Sequence, residues 1–430
     1  MEARSLFSNL PLSEQLDSLF GAGSCELLSH DQPGDLHIAA SRLLDRGLTV
    51  IGFDYSKQHG SMGTREVDQI QRALRKAAQD DSSVVFLMNT SGVRVTEGTL
   101  GVASLRALLR DALDARLSGV RMLAIVGKSC FGGASILASL CERRLVNEHC
   151  LFAMSGPKLI EQVSGSDDLQ SNDAAAVRQL LGGASRARVS DAFILCRDDA
   201  ESYRAALFDW LSQRTAPRSG SDLIAGSAER LSTRLQSSFP SGVISDGPVP
   251  IDAKTSAVLA SYFSAGYQID GADGLLFARA DDATRAVACA LVGGRAAGAR
   301  QALRLSEELA RLAVAQKRTL ILLDSESHSA SRLDERLILS EYLAHLALQI
   351  RFLHRRGHEI QVIVTGVSGG GIFAALASGA STVCMTPQSR LQVLPQAAMA
   401  AINKIGDSEA GGPDAAVAVH AVDSIYTQAA

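Results

Sequence analysis

Unbroken apolar runs, rather than alternating ones, punctuate the chain. GLTVIGFDY (47–55), SSVVFLMNTSG (82–92) and RMLAIVG (121–127) each read as a strand buried on both faces, the pattern of a parallel sheet covered by helices. Between the last two, ASLRALLRDALDARLSG (103–119) carries apolar residues at helical spacing. After the third strand comes the turn Lys128-Ser-Cys-Phe-Gly-Gly133 and an apolar helix, ASILASLCERR. The second half runs through the same order. GLLFARA and AVACALVGG precede the strand TLILLDSES; then come the helical LDERLILSEYLAHLALQIRFLHRRG, the strand IQVIVTG, the turn Val367-Ser-Gly-Gly-Gly371 and the helix IFAALASG.

Two anchors fix the repeat. Gly132 and Gly370 lie 238 residues apart, and the strand ends Asn89 and Asp324 lie 235 apart. A similarity of this length marks a duplicated unit. Between the copies, TAPRSGSD and FPSGVISDGPVP carry Pro, Gly and Ser that break regular elements. The reading is therefore an N-terminal domain over 1–185, a connecting segment over 186–265 and a C-terminal domain over 266–430. A short amphipathic helix near residue 12, with Ser13 as its cap, is expected to pack on the first domain.

Composition narrows the class. The 430 residues suit two domains, and 46% hydrophobic with only 5% aromatic residues favours close helix-on-sheet packing, an α/β protein. A net charge of −4 leaves no basic footprint for nucleic acid, and no dense Lys/Arg run marks a membrane surface. With neither a signal-type start nor eighteen consecutive apolar residues, the expected location is cytoplasmic. The seven cysteines contain no CxxC pair, which argues against a disulfide framework or a zinc ribbon.

Each glycine turn sits where a buried strand ends and a helix begins, so the first helical N–H groups lack intrahelical partners. Glycine lets a carbonyl oxygen approach this backbone without a Cβ in the way, and the helix start favours negative charge. Such a turn can hold an oxyanion. Ser61-Met62-Gly63 in the first copy and Gly293-Gly-Arg-Ala-Ala-Gly298 in the second stand where a second donor is needed. Small residues also serve tight helix–sheet packing; the matched turns and matched upstream loops favour a binding role.

Three segments carry a family resemblance: Asn89-Thr-Ser-Gly-Val-Arg-Val-Thr-Glu97, Gly127-Lys-Ser-Cys-Phe-Gly-Gly133 and Met154-Ser-Gly-Pro-Lys-Leu-Ile-Glu161. The chain resembles the β and γ subunits of biotin-independent malonate decarboxylase joined end to end. The third segment also resembles acetyl-CoA carboxylase carboxyltransferases. In the second half, RRGH (355–358), Ser368 to Gly370 and the stretch from Met385 onward resemble the γ subunit less strongly. The resemblance implies two tandem crotonase-like (ββα-spiral) carboxyltransferase domains with an inter-domain site. It also implies a malonyl thioester that loses CO2 to leave the acetyl thioester. The acyl group would ride on the phosphopantetheine-type arm of an acyl carrier protein, or on CoA, with no cofactor covalently bound. Crotonase-type units commonly associate, so a homo-oligomer fits.

Decarboxylation moves the carboxylate electrons toward the thioester oxygen as an enolate forms, so the chemistry calls for donors at that oxygen and needs no metal. Gly132 and Gly133 with Met62 or Gly63 are assigned to the enolate oxygen. Gly369 and Gly370 with Gly298 are assigned to a second hole that orients the departing carboxylate. Arg94, Glu97, Ser129, Cys130, Ser155, Gly156, Pro157 and Ser368 are the candidate substrate-binding residues, although Arg94 and Glu97 equally suit an ion pair bracing a loop. His59 or water would protonate the enolate. Where the family has a Gly-Gly pair, this chain has Lys57-Gln-His-Gly-Ser-Met-Gly63, and Asn89 replaces an aspartate.

Three alternatives stand beside this. A carboxyltransferase would pass the carboxyl group to biotin on another protein, since no Met-Lys-Met site occurs here. A serine hydrolase is suggested by Gly366-Val-Ser368-Gly-Gly370, with Asp407, Asp414 and His420 following. A carrier-binding scaffold without catalysis is the third.

Overall fold

The computed structural model describes residues 6–28, 36–164, 169–213, 219–238, 251–263, 266–272, 275–280, 287–312, 318–395 and 411–427. Two compact units emerge. The first comprises Met1–Arg94, Asp111–Asp222 and Ser331–Ser340; the second comprises Val95–Arg110, Leu223–Ala330 and Glu341–Ala430. Each unit thus takes one short stretch from the opposite half of the chain.

The first unit is built on a seven-stranded sheet. Its strands are β1 (Glu26–Leu27), β2 (Leu36–Leu43), β3 (Arg46–Phe53), β4 (Ser83–Leu87), β5 (Met122–Val126), β7 (Arg143–Val146) and β9 (Phe193–Leu195), side by side in that order. Strands β1 to β3 are antiparallel, and from β3 onward the sheet is parallel. Val84, Val85, Phe86 and Leu87 are all buried, because helices cover both faces. A separate parallel pair, β6 (Ser129–Phe131) with β8 (Leu151–Ala153), carries the first glycine turn.

The second unit repeats this topology strand for strand. Its sheet runs β10 (Tyr267–Ala272), β11 (Leu275–Ala280), β12 (Val287–Gly294), β13 (Arg318–Ser325), β14 (Glu359–Val364), β16 (Thr382–Met385) and β18 (Ser424–Ile425). The antiparallel-to-parallel switch falls at the equivalent strand, β12, and the small pair is β15 (Val367–Gly369) with β17 (Arg390–Gln392). Two copies of one α/β unit therefore make up the chain, as the repeat predicts.

The connecting segment is where expectation and structure part. Much of 186–265 is regular: helices Gly183–Val189, Ala200–Ser212, Gly220–Ser238 and Ala253–Tyr262 occupy it, and β9 closes the first sheet. Tyr203, Leu207 and Trp210 pack with Leu19, Val50, Val85 and Leu123 in the first core, while Val258, Leu259 and Phe263 pack with Leu320, Leu322 and Ile363 in the second. Burial of these apolar side chains draws the helices onto the two cores. Half of TAPRSGSD (215–218) and all of FPSGVISDGPVP (239–250) lie outside the described residues. The N-terminal helix is Leu12–Phe20, capped at Pro11 rather than Ser13. Among the described residues, no helix is long and apolar enough to cross a membrane.

Candidate active site

The first glycine turn is assembled from the strand ends upward. Asn89, just beyond β4, accepts hydrogen bonds on Oδ1 from the Gly127 and Lys128 N–H groups, at 3.1 and 2.8 Å. Its amide thus anchors the loop leaving β5 without a carboxylate charge. The Thr90 N–H donates to the Ser129 carbonyl, and the Gly132 N–H donates to the Ala153 carbonyl at 3.2 Å. Gly132 itself adopts φ 59°, ψ −139°, a conformation open essentially only to glycine. A Cβ there would meet nothing nearer than the Gly92 Cα at 4.0 Å. The helix Gly133–Ser139 then begins, and among the described residues nothing accepts the Gly133 or Ala134 N–H. Of the expected donors, Gly133 is free and Gly132 is engaged with Ala153.

The companion loop corrects an expectation. The Met62 N–H donates to the Gly92 carbonyl at 2.8 Å, and the Gly63 N–H donates to Glu66 Oε2 at 2.9 Å as the reciprocal half of a cap on the helix Thr64–Gln79. Neither is left for a thioester oxygen. Arg94 braces the same loop: it donates to the Ser61 carbonyl at 3.1 Å and pairs with Glu66 at 3.2 Å. Glu97 is grouped with the second unit. Glu66→Ala removes both the cap and the pair and is expected to cost about 1–2 kcal/mol, read from denaturant midpoints. Glu66→Gln, which keeps an acceptor, should lose less. Upstream, His59 sits exposed in a left-handed turn (φ 55°), its ring beside Tyr55.

The remaining first-half candidates divide into backing and rim. Ser129 and Cys130 are buried in β6, and burial pushes the Cys130 thiol well up, so it is a packing residue rather than a nucleophile. The Ser155 N–H donates to Glu335 at 2.5 Å. Gly156 leaves open space where a Cβ would be, and Pro157 starts the helix Pro157–Ser164.

In the second copy the backbone is duplicated closely. The Ala297 N–H donates to the Ser327 carbonyl, as Met62 does to Gly92, and the Gly298 N–H caps onto Gln301 Oε1 at 3.1 Å, as Gly63 does onto Glu66. Gly298 is thus not a free donor. Over the turn itself the copies diverge. The residues matching Gly92 and Val93 are Ser327 and His328, and their side chains fill the space above Gly370: a Cβ there would collide with Ser327 Oγ and come within 2.6 Å of His328 Nδ1. The Gly371 N–H donates to that Nδ1 at 2.9 Å. Gly369, at φ 178°, is ordinary extended backbone and pairs with Gln392. The second turn is closed by an imidazole instead of presenting an open oxyanion hole. Sequence reading missed His328; writing the two copies in register, with Ser327 opposite Gly92, carries the signal.

Burial lowers His328 to about 4, and His345, whose Nε2 hydrogen-bonds Ser306 Oγ at 2.9 Å, likewise to about 4. Both stay neutral near pH 7. Their ordinary value is 6.5, so the stability they contribute is present above 6.5 and lost as pH falls toward 4. Denaturant midpoints should drop across that window, and less so in a His328→Gln/His345→Gln double variant.

Ser368 does not form a nucleophile elbow. It is fully buried, and its hydroxyl lies 3.3 Å from both the Ser325 N–H and the Leu323 carbonyl. His420 is exposed, and Asp407 lies outside the described residues.

Two families match the chain. Residues 46–191 match the carboxyl transferase domain, and residues 278–425 match the malonate decarboxylase gamma subunit. Malonyl-S-ACP:biotin-protein carboxyltransferase MADC of Malonomonas rubra is 27% identical over 124 residues, 28% of this chain and 39% of that protein. The acetyl-coenzyme A carboxylase carboxyl transferase subunit beta of Psychrobacter cryohalolentis is 25% identical over 128 residues, 30% of this chain and 40% of its own length. The matches thus span about 40% of these relatives. Among solved structures, a Pseudomonas malonate decarboxylase hetero-tetramer in complex with malonate aligns at 23% identity and TM-score 0.47, covering 56% of this chain and 94% of that one. Transcarboxylase 12S aligns at 16% and TM-score 0.41, covering 98% and 88%. The chain thus carries, in order, a segment that matches the carboxyl transferase domain and a segment that matches the malonate decarboxylase gamma subunit, on one polypeptide.

Proposed function

We propose that this protein decarboxylates a malonyl thioester, releasing CO2 and leaving the acetyl thioester. The observation that carries the reading is the contrast between the glycine turns: the first keeps the Gly133 N–H unengaged under open space at Gly132, and the second is filled by His328. The carbon–carbon bond to the carboxylate breaks and its electron pair forms the enolate. The Gly133 N–H stabilises the enolate oxygen, and a proton from solvent completes the acetyl group. The match to the malonate decarboxylase gamma subunit supports malonyl as the acyl group.

The acyl group arrives on a phosphopantetheine-type arm, and a carrier protein is favoured because a relative is named for a malonyl-S-ACP substrate. The enzyme would act in the cytoplasm, in keeping with the free thiols of Cys25, Cys130, Cys141, Cys150, Cys196 and Cys384. That relative's name also specifies a biotin protein as carboxyl acceptor, which favours carboxyl transfer as a second reading. Incubation with malonyl-carrier and with malonyl-CoA, each with and without avidin, separates the two. Avidin-insensitive formation of acetyl thioester is expected. Turnover that requires a biotinylated partner would replace decarboxylation by transfer, and no consumption of either thioester would remove both.

A further inference from the structure

The geometry points to Glu335, together with Ser340, as positioning residues that hold the first glycine turn in its binding conformation. The inference rests on the proposed role of that turn. Both residues belong to Ser331–Ser340, the stretch of the second half that is part of the first unit. Glu335 is fully buried, and its two carboxylate oxygens accept from the backbone just after β8: Ser155 N–H to Oε1 at 2.5 Å and Met154 N–H to Oε2 at 3.2 Å. The Arg186 guanidinium holds both partners of this arrangement. One of its nitrogens donates to the Glu335 carbonyl, Nε donates to the Phe152 carbonyl at 2.8 Å, and Nη2 lies 3.7 Å from the carboxylate.

The consequence reaches the turn by a short path. β8 lies against β6, and its last residue, Ala153, supplies the carbonyl that takes the Gly132 N–H. A second tie comes from Ser340, whose hydroxyl is 2.6 Å from Ser135 Oγ; Ser135 Oγ in turn donates to the Gly132 carbonyl at 2.7 Å. The N–H and the C=O of Gly132 are thus each one residue or one hydroxyl away from this stretch. Displacement by as little as 1 Å at such a turn is enough to matter for catalysis.

Burial raises the Glu335 carboxyl to about 7, with the Arg186 charge opposing. Arg186 faces it with its charge; Arg178, on the packed helix Ala174–Leu181, is exposed, and the Asp334 carboxylate accepts from the hydroxyl of Ser331, the N-cap of its helix. Protonation removes one of the two acceptors, so the hold on Met154 and Ser155 should slacken as pH falls through about 7.

Hydrogen exchange of a peptide spanning 150–160, referenced to the β5 peptide in the same spectrum, tests this in the wild-type protein and in Glu335→Gln. Relative protection in the wild type should fall severalfold between pH 8 and 6, and in Glu335→Gln it should not change with pH. In the same variant kcat should drop roughly 10- to 100-fold with little change in KM, and the acid limb of the rate profile should disappear. If Glu335→Gln does not fold, the wild-type exchange series alone decides. A pH-independent protection ratio in the wild type, or a folded Glu335→Gln with unchanged kcat, overturns the assignment. Exchange that responds to pH in a protein without thioester turnover would leave the clamp standing and remove the proposed function instead.

Discussion

Gly132→Ala is expected to reduce turnover of a malonyl thioester by about 100- to 1,000-fold, the loss typical of a misdirected oxyanion donor. Gly132 combines φ 59° with ψ −139°, which a side chain with Cβ reaches only at a cost of about 1–3 kcal/mol. The chain relieves that strain by rotating the peptide into Gly133, whose N–H is the first unengaged donor of the turn. Space is not the obstacle, because the nearest atom to a Cβ is 4.0 Å away. The variant should therefore fold, with melting only modestly lowered, and lose its rate through kcat. A folded Gly132→Ala with wild-type kcat would show that this turn does not hold the reacting oxygen.

Gly370→Ala, the matching change in the second copy, is expected to act on stability instead. Gly370 has φ 58°, and its Cβ would run into Ser327 Oγ and His328 Nδ1. Accommodating it means moving a buried imidazole and breaking its bond from the Gly371 N–H. Strain and a lost buried hydrogen bond together suggest about 3 kcal/mol, a fall in melting temperature of about 10 °C in a unit of this size. Equal melting of wild type and variant would mean that the second turn is looser than described. Large loss of activity with no loss of stability would return it to the role of a working oxyanion hole.

The repeat was legible because it is written in local pattern: apolar runs, a glycine turn and a helix recur at offsets of 235 and 238. Gly132 and Gly370 could be located for the same reason, since strand-to-helix turns announce themselves by glycine. What sequence could not give was the partner of each donor. Met62 and Gly63 look available in a polar loop, yet one pairs across to Gly92 and the other with a glutamate three residues on. His328 reads as an ordinary polar residue after a strand, and only its burial over Gly370 turns it into a plug. Glu335 is the extreme case, lying about 180 residues from the amides it holds. The span 186–265 failed differently: its breakers dominate the eye, while the apolar faces of the helices Ala200–Ser212 and Ala253–Tyr262 place it in two cores.

The enolate mechanism is tested most directly by a single turnover of malonyl-carrier in D2O, with excess enzyme and avidin present, following CO2 and the mass of the acetyl product. The expected result is one CO2 per malonyl group and an acetyl thioester carrying one deuterium, taken up from solvent at the carbon that lost the carboxylate. Unconsumed malonyl thioester, or an acetyl product without deuterium, would contradict it.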